Sequence, residues 1–256
     1  MLKNIEGTTI KIKFKDEMLE ISKDLKEKIN NFWNQSKNEN HSLFNGELIC
    51  ISEYKKTNNL IEITCKRTHY SHHLYDERVG LPKEYGCHNL VVGCLLETSD
   101  NYYVIGEMAS NTSVPNCLQI PGGNVDNTDI KEESIDIFNA LIRECKEEVN
   151  INLEDKNIVE SFKLKYISLP NEISNAYLII AKGKLRMTKK EMIEYYKEYL
   201  KYLKDNNLEI EFSNLHFINK KKVKEELNKL QNPKRSYLRE LLEIDSNDKK
   251  LSLIHI

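Results

Sequence analysis

The sequence predicts an α+β fold. Runs of alternating apolar residues are interleaved with apolar stripes spaced by three and four along the 256 residues, and these two periods separate strands from helices. The clearest strand pair is Asn89 to Thr98 and Tyr102 to Met108, joined at the polar turn Ser99-Asp100-Asn101. The clearest helix follows Pro121-Gly122-Gly123 and carries Arg143-Glu144-Cys145-Lys146-Glu147-Glu148.

Taken in order, residues 1–86 read as a small α+β N-terminal extension. It opens with a strand pattern at Ile10, Ile12 and Phe14 and a helix pattern at Met18, Ile21, Leu25, Ile29 and Phe32. After a polar loop around Ser36 to Ser42 come two strand-like runs, Glu47 to Tyr54 and Leu60 to Arg67, joined at Thr57-Asn58-Asn59. Residues 87–256 form the main domain with C-terminal helices. The strand pair and a strand-like stretch ending in Leu118 and Ile120 lead into the glycine turn and the charged helix, whose apolar side is Ile135, Phe138, Ile142, Cys145 and Val149. Val159 to Leu169 and Ala176 to Leu185 read as strands, Lys189 to Lys204 as a helix, and Leu208 to Ile218 as a strand. Two short helices, about 220 to 230 and 235 to 243, are separated by Pro233. The tail from Asp245 onward is expected to fray, with Leu251 to Ile256 apolar enough to dock.

A formal net charge of −2, with acids and bases interspersed, gives no global pull toward nucleic acid or an anionic membrane. No apolar run approaches the roughly 20 residues that span a bilayer, and Met1-Leu2-Lys3-Asn4-Ile5-Glu6 lacks the apolar core of a signal peptide. Six scattered cysteines without Cys-x-x-Cys spacing read as buried reduced thiols rather than zinc ligands. The expectation is a cytoplasmic protein.

Residues three and four apart on a helix are neighbours, so Glu144, Glu147 and Glu148 share one face. Clustered carboxylates repel unless a cation neutralises them, and hard oxygen donors select Mg²⁺ or Mn²⁺. Alone, this is also the pattern of a solvated helix face. The upstream glycine turn, the apolar stripe and the preceding strand pair distinguish it.

These residues resemble the box of the Nudix (MutT-like) family of diphosphate hydrolases: Gly, five residues, Glu, seven residues, Arg-Glu, an apolar residue, any residue, Glu-Glu, any residue, Gly, apolar. Arg143 to Ile151 matches its second half, with Asn150 in place of the final Gly. Asn is the usual substitute where a helix ends in the left-handed region. The first half is six residues too long. Counting from Gly123 puts the first box acid at Asp129; counting back from Arg143 puts it at Ile135, and Glu132 or Glu133 is the expected stand-in.

The resemblance implies a mixed β-sheet sandwiched between helices (an α/β/α sandwich) and metal-dependent hydrolysis of a diphosphate bond. The substrate would be a nucleoside diphosphate linked to another moiety, of the nucleotide sugar, ADP-ribose or dinucleotide type. Glu144, Glu147 and Glu148, with a backbone carbonyl near Gly122, would hold Mg²⁺ or Mn²⁺, and Arg143 would fix the loop by pairing with an acid. Gly122 and Gly123 would permit close backbone approach. The general base lies outside the box in many members; Glu172, Glu191, Glu194, Glu209 and Glu211 are candidates. Two other readings share the motif: an RNA 5′-end or cap pyrophosphohydrolase, and a non-catalytic nucleotide-binding regulatory module. The N-terminal extension offers a surface for a homodimer.

Three clusters remain. His69, His72 and His73 with Arg67, Tyr70 and Arg78 read as a surface loop, the competing reading being a base-stacking and phosphate-pairing site. Lys220, Lys221, Lys222 and Lys224 read as a solvated helix start, against an RNA contact. Tyr195, Tyr196, Tyr199 and Tyr202 read as core rather than binding surface.

Overall fold

The computed structural model describes residues 1–41, 43–82, 84–112, 114–171 and 174–251. Its strands and helices run β1 (Leu2–Asn4), β2 (Thr9–Met18), α1 (Lys23–Glu39), β3 (Glu47–Lys56), β4 (Leu60–His69), α2 (Tyr70–Val79), β5 (Leu90–Glu97), β6 (Tyr102–Met108) and β7 (Leu118–Gln119). They continue as β8 (Ile130–Lys131), β9 (Ser134–Ile135), α3 (Ile137–Val149), β10 (Val159–Ser168), β11 (Tyr177–Leu185), α4 (Lys189–Asp205), β12 (Phe212–Asn219), α5 (Val223–Lys229) and α6 (Leu238–Leu251).

The larger sheet has the order β1-β10-β11-β5-β6-β12, with β7 alongside β6. It is mixed: β5 and β11 are parallel, and the other pairs are antiparallel. Alternation sends successive side chains to opposite faces. Val92, Cys94, Val104 and Ile179 pack under α3 and α4, while Leu95, Tyr103, Ile105 and Ile180 pack under α5 and α6. Helices on both faces of one sheet make the α/β/α sandwich that the sequence predicts.

The second sheet, β3-β4-β2-β9-β8, is built mostly from the N-terminal region. The two regions divided at residue 86 exchange strands. Leu2–Asn4 pairs with β10 of the larger sheet, and the hairpin β8–β9 adds to β2 of the smaller one.

Local chemistry sets the helix boundaries. Asp136 caps α3 by accepting from the Phe138 and Asn139 amides at 3.0 Å each. Asn150 ends it at φ 57° and ψ 27°, in the left-handed region expected of a residue replacing Gly. Thr188 and Glu191 form a reciprocal capping box at the start of α4. All six cysteines are buried and free of disulfides, and among the described residues no helix is long and apolar enough to cross a membrane.

Three sequence expectations are corrected. The histidine cluster is no surface loop: His69 ends β4, His72 and His73 lie within α2, and buried His72 contacts the Thr68 hydroxyl and the Tyr85 carbonyl at 2.8 Å each. The tail does not fray at Asp245, because α6 continues to Leu251; residues 252–256, the rest of the apolar end, lie outside the described residues. Nor is Lys220 a solvated helix start, for it donates to Glu97 at 2.7 Å.

The last two corrections share a cause, a buried ionic network between α6 and the larger sheet. Asp245 accepts from Lys182 (2.7 Å), Tyr103 (2.6 Å), Lys165 (2.9 Å) and Tyr166 (3.0 Å). Glu97 accepts from Lys184 at 2.9 Å and pairs with Lys182 at 2.7 Å. Burial would raise both carboxyl pKa values, but the surrounding ammonium groups win, holding Glu97 at about 2 and Asp245 far below the carboxylate range. Burial lowers the Lys182 ammonium in turn. Acids with depressed folded-state pKa values contribute stability that is present above their unfolded values and lost as pH falls through the folded ones. The network's contribution should therefore be full above about pH 4.5 and decline toward pH 2. Asp245→Asn should cost about 3–5 kcal/mol in urea denaturation at pH 7, because buried lysines lose their partner, and should flatten the acid limb of stability against pH. An unchanged acid limb would show that the network contributes nothing there.

Candidate active site

The Pro121-Gly122-Gly123 turn lies against β5. The amides of Cys94 and Val92 donate to the carbonyls of Pro121 and Gly123 at 2.8 and 2.9 Å, which leaves Gly122 as the carbonyl of this turn not taken by β5. Gly122 has φ +149°, and a Cβ there would overlap the Val92 carbonyl oxygen. At Gly123 a Cβ would stand 2.6 Å from Glu144 Oε2. One glycine lets the turn sit on the strand, and the other lets a carboxylate sit on the turn.

Helix α3 presents its acids to this turn in two ways. Glu144 and Glu148 are on the buried side with Ile137, Ala140, Leu141, Cys145 and Val149. Glu147 is exposed, as is Phe138, which the sequence stripe placed on the apolar side. The Gly122 amide donates to Glu148 Oε2 at 2.6 Å. Arg143 Nη1 donates to Glu144 at 2.7 Å and to Glu147 at 3.3 Å, while Nη2 donates to Asp129 Oδ2 at 2.9 Å and the Asn124 carbonyl at 3.1 Å.

Asp129 is thus the partner of Arg143, and the expected stand-ins Glu132 and Glu133 are corrected: both are exposed in the turn of the β8–β9 hairpin. That hairpin, residues 130–135, is the whole six-residue excess. Its base is closed by the Asp136 amide donating to the Asp129 carbonyl at 2.8 Å. With the hairpin set aside, residues 136–142 supply the seven positions between the first acid and Arg143. Asp129 is fully buried and also accepts from the Asp126 amide at 3.0 Å and from Asn139 Nδ2 at 2.8 Å. Counting forward from Gly123 reaches this position, whereas counting back from Arg143 is displaced by the hairpin.

A fourth acid joins the site. Glu211, just before β12, stands close enough to Glu148 for the two carboxyls to influence one another, with Glu144, Glu147 and Glu209 nearby. Burial raises the pKa of Glu144 to about 7, Arg143 opposing and the neighbouring acids reinforcing it. Burial and then Glu144 push Glu148 well above the carboxylate range, and burial and Glu209 raise Glu211. Carboxyls whose pKa values are raised by burial and by one another mark a place short of positive charge.

The donors fit a hard divalent cation: the oxygens of Glu144, Glu147, Glu148 and Glu211 and the Gly122 carbonyl, with no thiol or imidazole. Among the described residues no three acidic, histidine or cysteine side chains are already set at metal-holding geometry. Arg143 holds Glu144 and Glu147 while the Gly122 amide holds Glu148, so the acids are neighbours without meeting at one point.

The other candidates fall elsewhere. Glu191 is taken by the α4 capping box, and exposed Glu194 pairs with Lys197; Glu172 lies outside the described residues. Of the tyrosines only Tyr196 is core, donating to the Phe212 carbonyl at 2.7 Å. Tyr195 and Tyr199 clasp the end of α3 through the carbonyls of Asn150 (2.8 Å) and Glu147 (2.7 Å), and Tyr202 is exposed. Tyr199 and Tyr202 line, with Arg143, Lys146 and Glu147, a cleft of about 820 Å³ beside the acids.

No family model matches the chain, and no curated protein matches it. Solved structures are similar to it in architecture. One is a NUDIX hydrolase from Nitrosomonas europaea, 13% identical with TM-score 0.37, covering 64% of this chain and 90% of that one. Another is a C. elegans Ap4A hydrolase binary complex, 14% identical with TM-score 0.38, covering 64% and 98%. A third is Shewanella oneidensis NrtR complexed with a 27mer DNA, 14% identical with TM-score 0.40, covering 64% and 62%.

The two glycines should respond differently to substitution. Gly122→Ala meets backbone and a φ that side chains rarely adopt, so it should cost about 1–3 kcal/mol in urea denaturation. Gly123→Ala meets the carboxylate end of Glu144, which must shift from its place beside Arg143, and should cost less than Gly122→Ala, about 1 kcal/mol. Equal losses would mean that the turn is not held against β5 as described.

Proposed function

We propose that the chain is a Nudix-type pyrophosphohydrolase, dependent on Mg²⁺ or Mn²⁺, that splits the diphosphate linkage of a nucleoside diphosphate joined to another group. The observation that carries this reading is the placement of Glu144 and Glu148, buried and short of positive charge, against the Gly122-Gly123 turn, with Glu211 beside them and Arg143 tied to Asp129.

A diphosphate resists hydrolysis because its anionic oxygens repel an incoming nucleophile. When bound, a divalent cation supplies the positive charge that offsets this repulsion and makes water more acidic. Glu144, Glu147 and Glu148, with Glu211 and the Gly122 carbonyl, are the groups that would hold it. Gly122 N–H fixes the Glu148 carboxyl in place. Glu148 and Glu211 stand beside one another, and either carboxylate could accept the proton of water as it attacks phosphorus in line. The bridging oxygen leaves with the other phosphate, giving two phosphate-terminated products. Arg143, held from behind by Asp129, keeps Glu144 and Glu147 directed toward the turn. Substrates of the nucleotide sugar, ADP-ribose and dinucleotide type carry the required linkage.

The test is phosphate release, coupled to a phosphatase, from nucleotide sugars, ADP-ribose, NADH, dinucleoside polyphosphates and a capped RNA, each with Mg²⁺ or Mn²⁺. One class should be turned over, and Glu148→Gln should lower its rate by about 10²-fold or more. Absence of metal-dependent turnover on every compound, from folded protein that still binds nucleotide, would favour the non-catalytic binding module. Turnover of capped RNA alone would favour the RNA-end reading.

A further inference from the structure

We infer that Arg67 is a positioning residue for the acidic site, acting from the smaller sheet through Asn127 on the turn that holds Arg143. The inference rests on the reading of that site as a divalent-cation site and adds a residue that the box does not contain.

Arg67 stands on β4, 60 positions from Asn127 in the chain. Its guanidinium lies over the Phe14 ring, 5.0 Å from the centroid, and pairs with Asp16 and, at 3.2 Å, with Glu47. Those two carboxylates and the ring already fix and neutralise it. The group nevertheless reaches across to Asn127 Oδ1, with Nη1 at 2.6 Å. Asn127 opens the 3-10 turn Asn127–Asp129, which Asp126 and Asp129 close reciprocally: Asp126 accepts from the Thr128 amide at 2.7 Å, and Asp129 accepts from the Asp126 amide at 3.0 Å. Asp129 then meets Arg143, and Arg143 meets Glu144 and Glu147.

The far side of the same loop is also fixed to the smaller sheet. Lys13 pairs with Ser134, and the Phe14 amide donates to the Glu133 carbonyl at 2.8 Å. The segment that carries the arginine's partner is therefore held at both ends by β2 and β4. Asn127 is exposed and uncharged, so its bond to Arg67 adds little to global stability. Its effect should appear in how well the acids behind Arg143 are oriented. Partners that hydrogen-bond metal ligands directly alter metal affinity by roughly 10–100-fold; acting through Asn127, Asp129 and Arg143, Arg67 should have a smaller effect.

The experiment is Mn²⁺ titration of the full chain by calorimetry, with melting temperatures measured in parallel, for wild type, Arg67→Ala, Asn127→Ala, the double variant, and Glu53→Ala as a control on the same sheet away from the loop. Each single variant at Arg67 or Asn127 should weaken Mn²⁺ binding by about threefold, less than loss of a direct ligand partner would. The double variant should be no worse than Arg67→Ala, because both act through one contact. Asn127→Ala should melt as wild type does, and Glu53→Ala should bind as wild type does. Wild-type Mn²⁺ affinity in both single variants would overturn the inference, as would additive losses in the double. If Arg67→Ala fails to fold, Asn127→Ala carries the test. If wild type itself binds no Mn²⁺, the cation-site reading fails; amide exchange over residues 126–136 then decides the coupling. Faster exchange in Asn127→Ala would support a positioning role for Arg67, and unchanged exchange would overturn it.

Discussion

The site depends on the ion pair between Arg143 and Asp129. Asp129 is wholly buried and contributes no surface contact of its own. Its oxygens are used up by Arg143, Asn139 and the Asp126 amide. A buried carboxylate is tolerated only when its lone pairs are satisfied and its charge is matched. Here the matching charge is the guanidinium that also contacts Glu144 and Glu147. One residue therefore fixes the loop before α3 and directs the acids on α3. The glycine turn completes the arrangement, since Glu144 could not lie where it does beside a side chain at position 123.

The two faces of the larger sheet use buried charge in opposite ways. Beneath α6, lysines surround Glu97 and Asp245, and both acids are held ionised well below their ordinary range. Beneath α3, Arg143 pairs with Asp129, Glu144 and Glu147, and Glu144, Glu148 and Glu211 are pushed upward. The first arrangement is complete in itself and binds the last helix to the sheet. Among the described residues, the second has less positive charge beside its acids than the first. The same physics, burial against neighbouring charge, distinguishes a structural network from a candidate binding site.

Much of this was legible in the sequence because it depends on local rules. The alternating strands, the acidic helix and the left-handed end at Asn150 all follow from residue type and spacing, and all are present. The sequence was less informative wherever a long-range partner decides the outcome. The stripe rule put Phe138 on the buried side, yet the buried side of α3 includes Glu144 and Glu148, which are polar and look solvated in any one-dimensional reading. Asp245 looked like the start of a fraying tail because Lys182, Lys165, Tyr103 and Tyr166, its partners, are 63 to 142 positions away. Helix α2 is not marked in the sequence for a similar reason: its hydrophobic periodicity is weak, and buried His72 and Asp76 are satisfied by Thr68, Tyr85, Cys87 and Asn175.

The stretched box shows how an insertion can leave a site's geometry intact. Six extra residues between an acid and an arginine that must meet would separate them if the excess were spread along the chain. Instead the excess is confined to a hairpin whose ends are joined by one backbone hydrogen bond, so Asp129 and Asp136 stand where a shorter loop would put them. A two-stranded ribbon of this size is not stable alone. It is stabilised by adding to the edge of β2, where Ser134 pairs with Lys13. That solution has a structural consequence: the smaller sheet ceases to be an appendage, since the loop that bears Asp129 is supported by it on both sides. The N-terminal residues and the box are two parts of one construction, and the division of the chain at residue 86 separates elements that the hydrogen-bonding pattern joins.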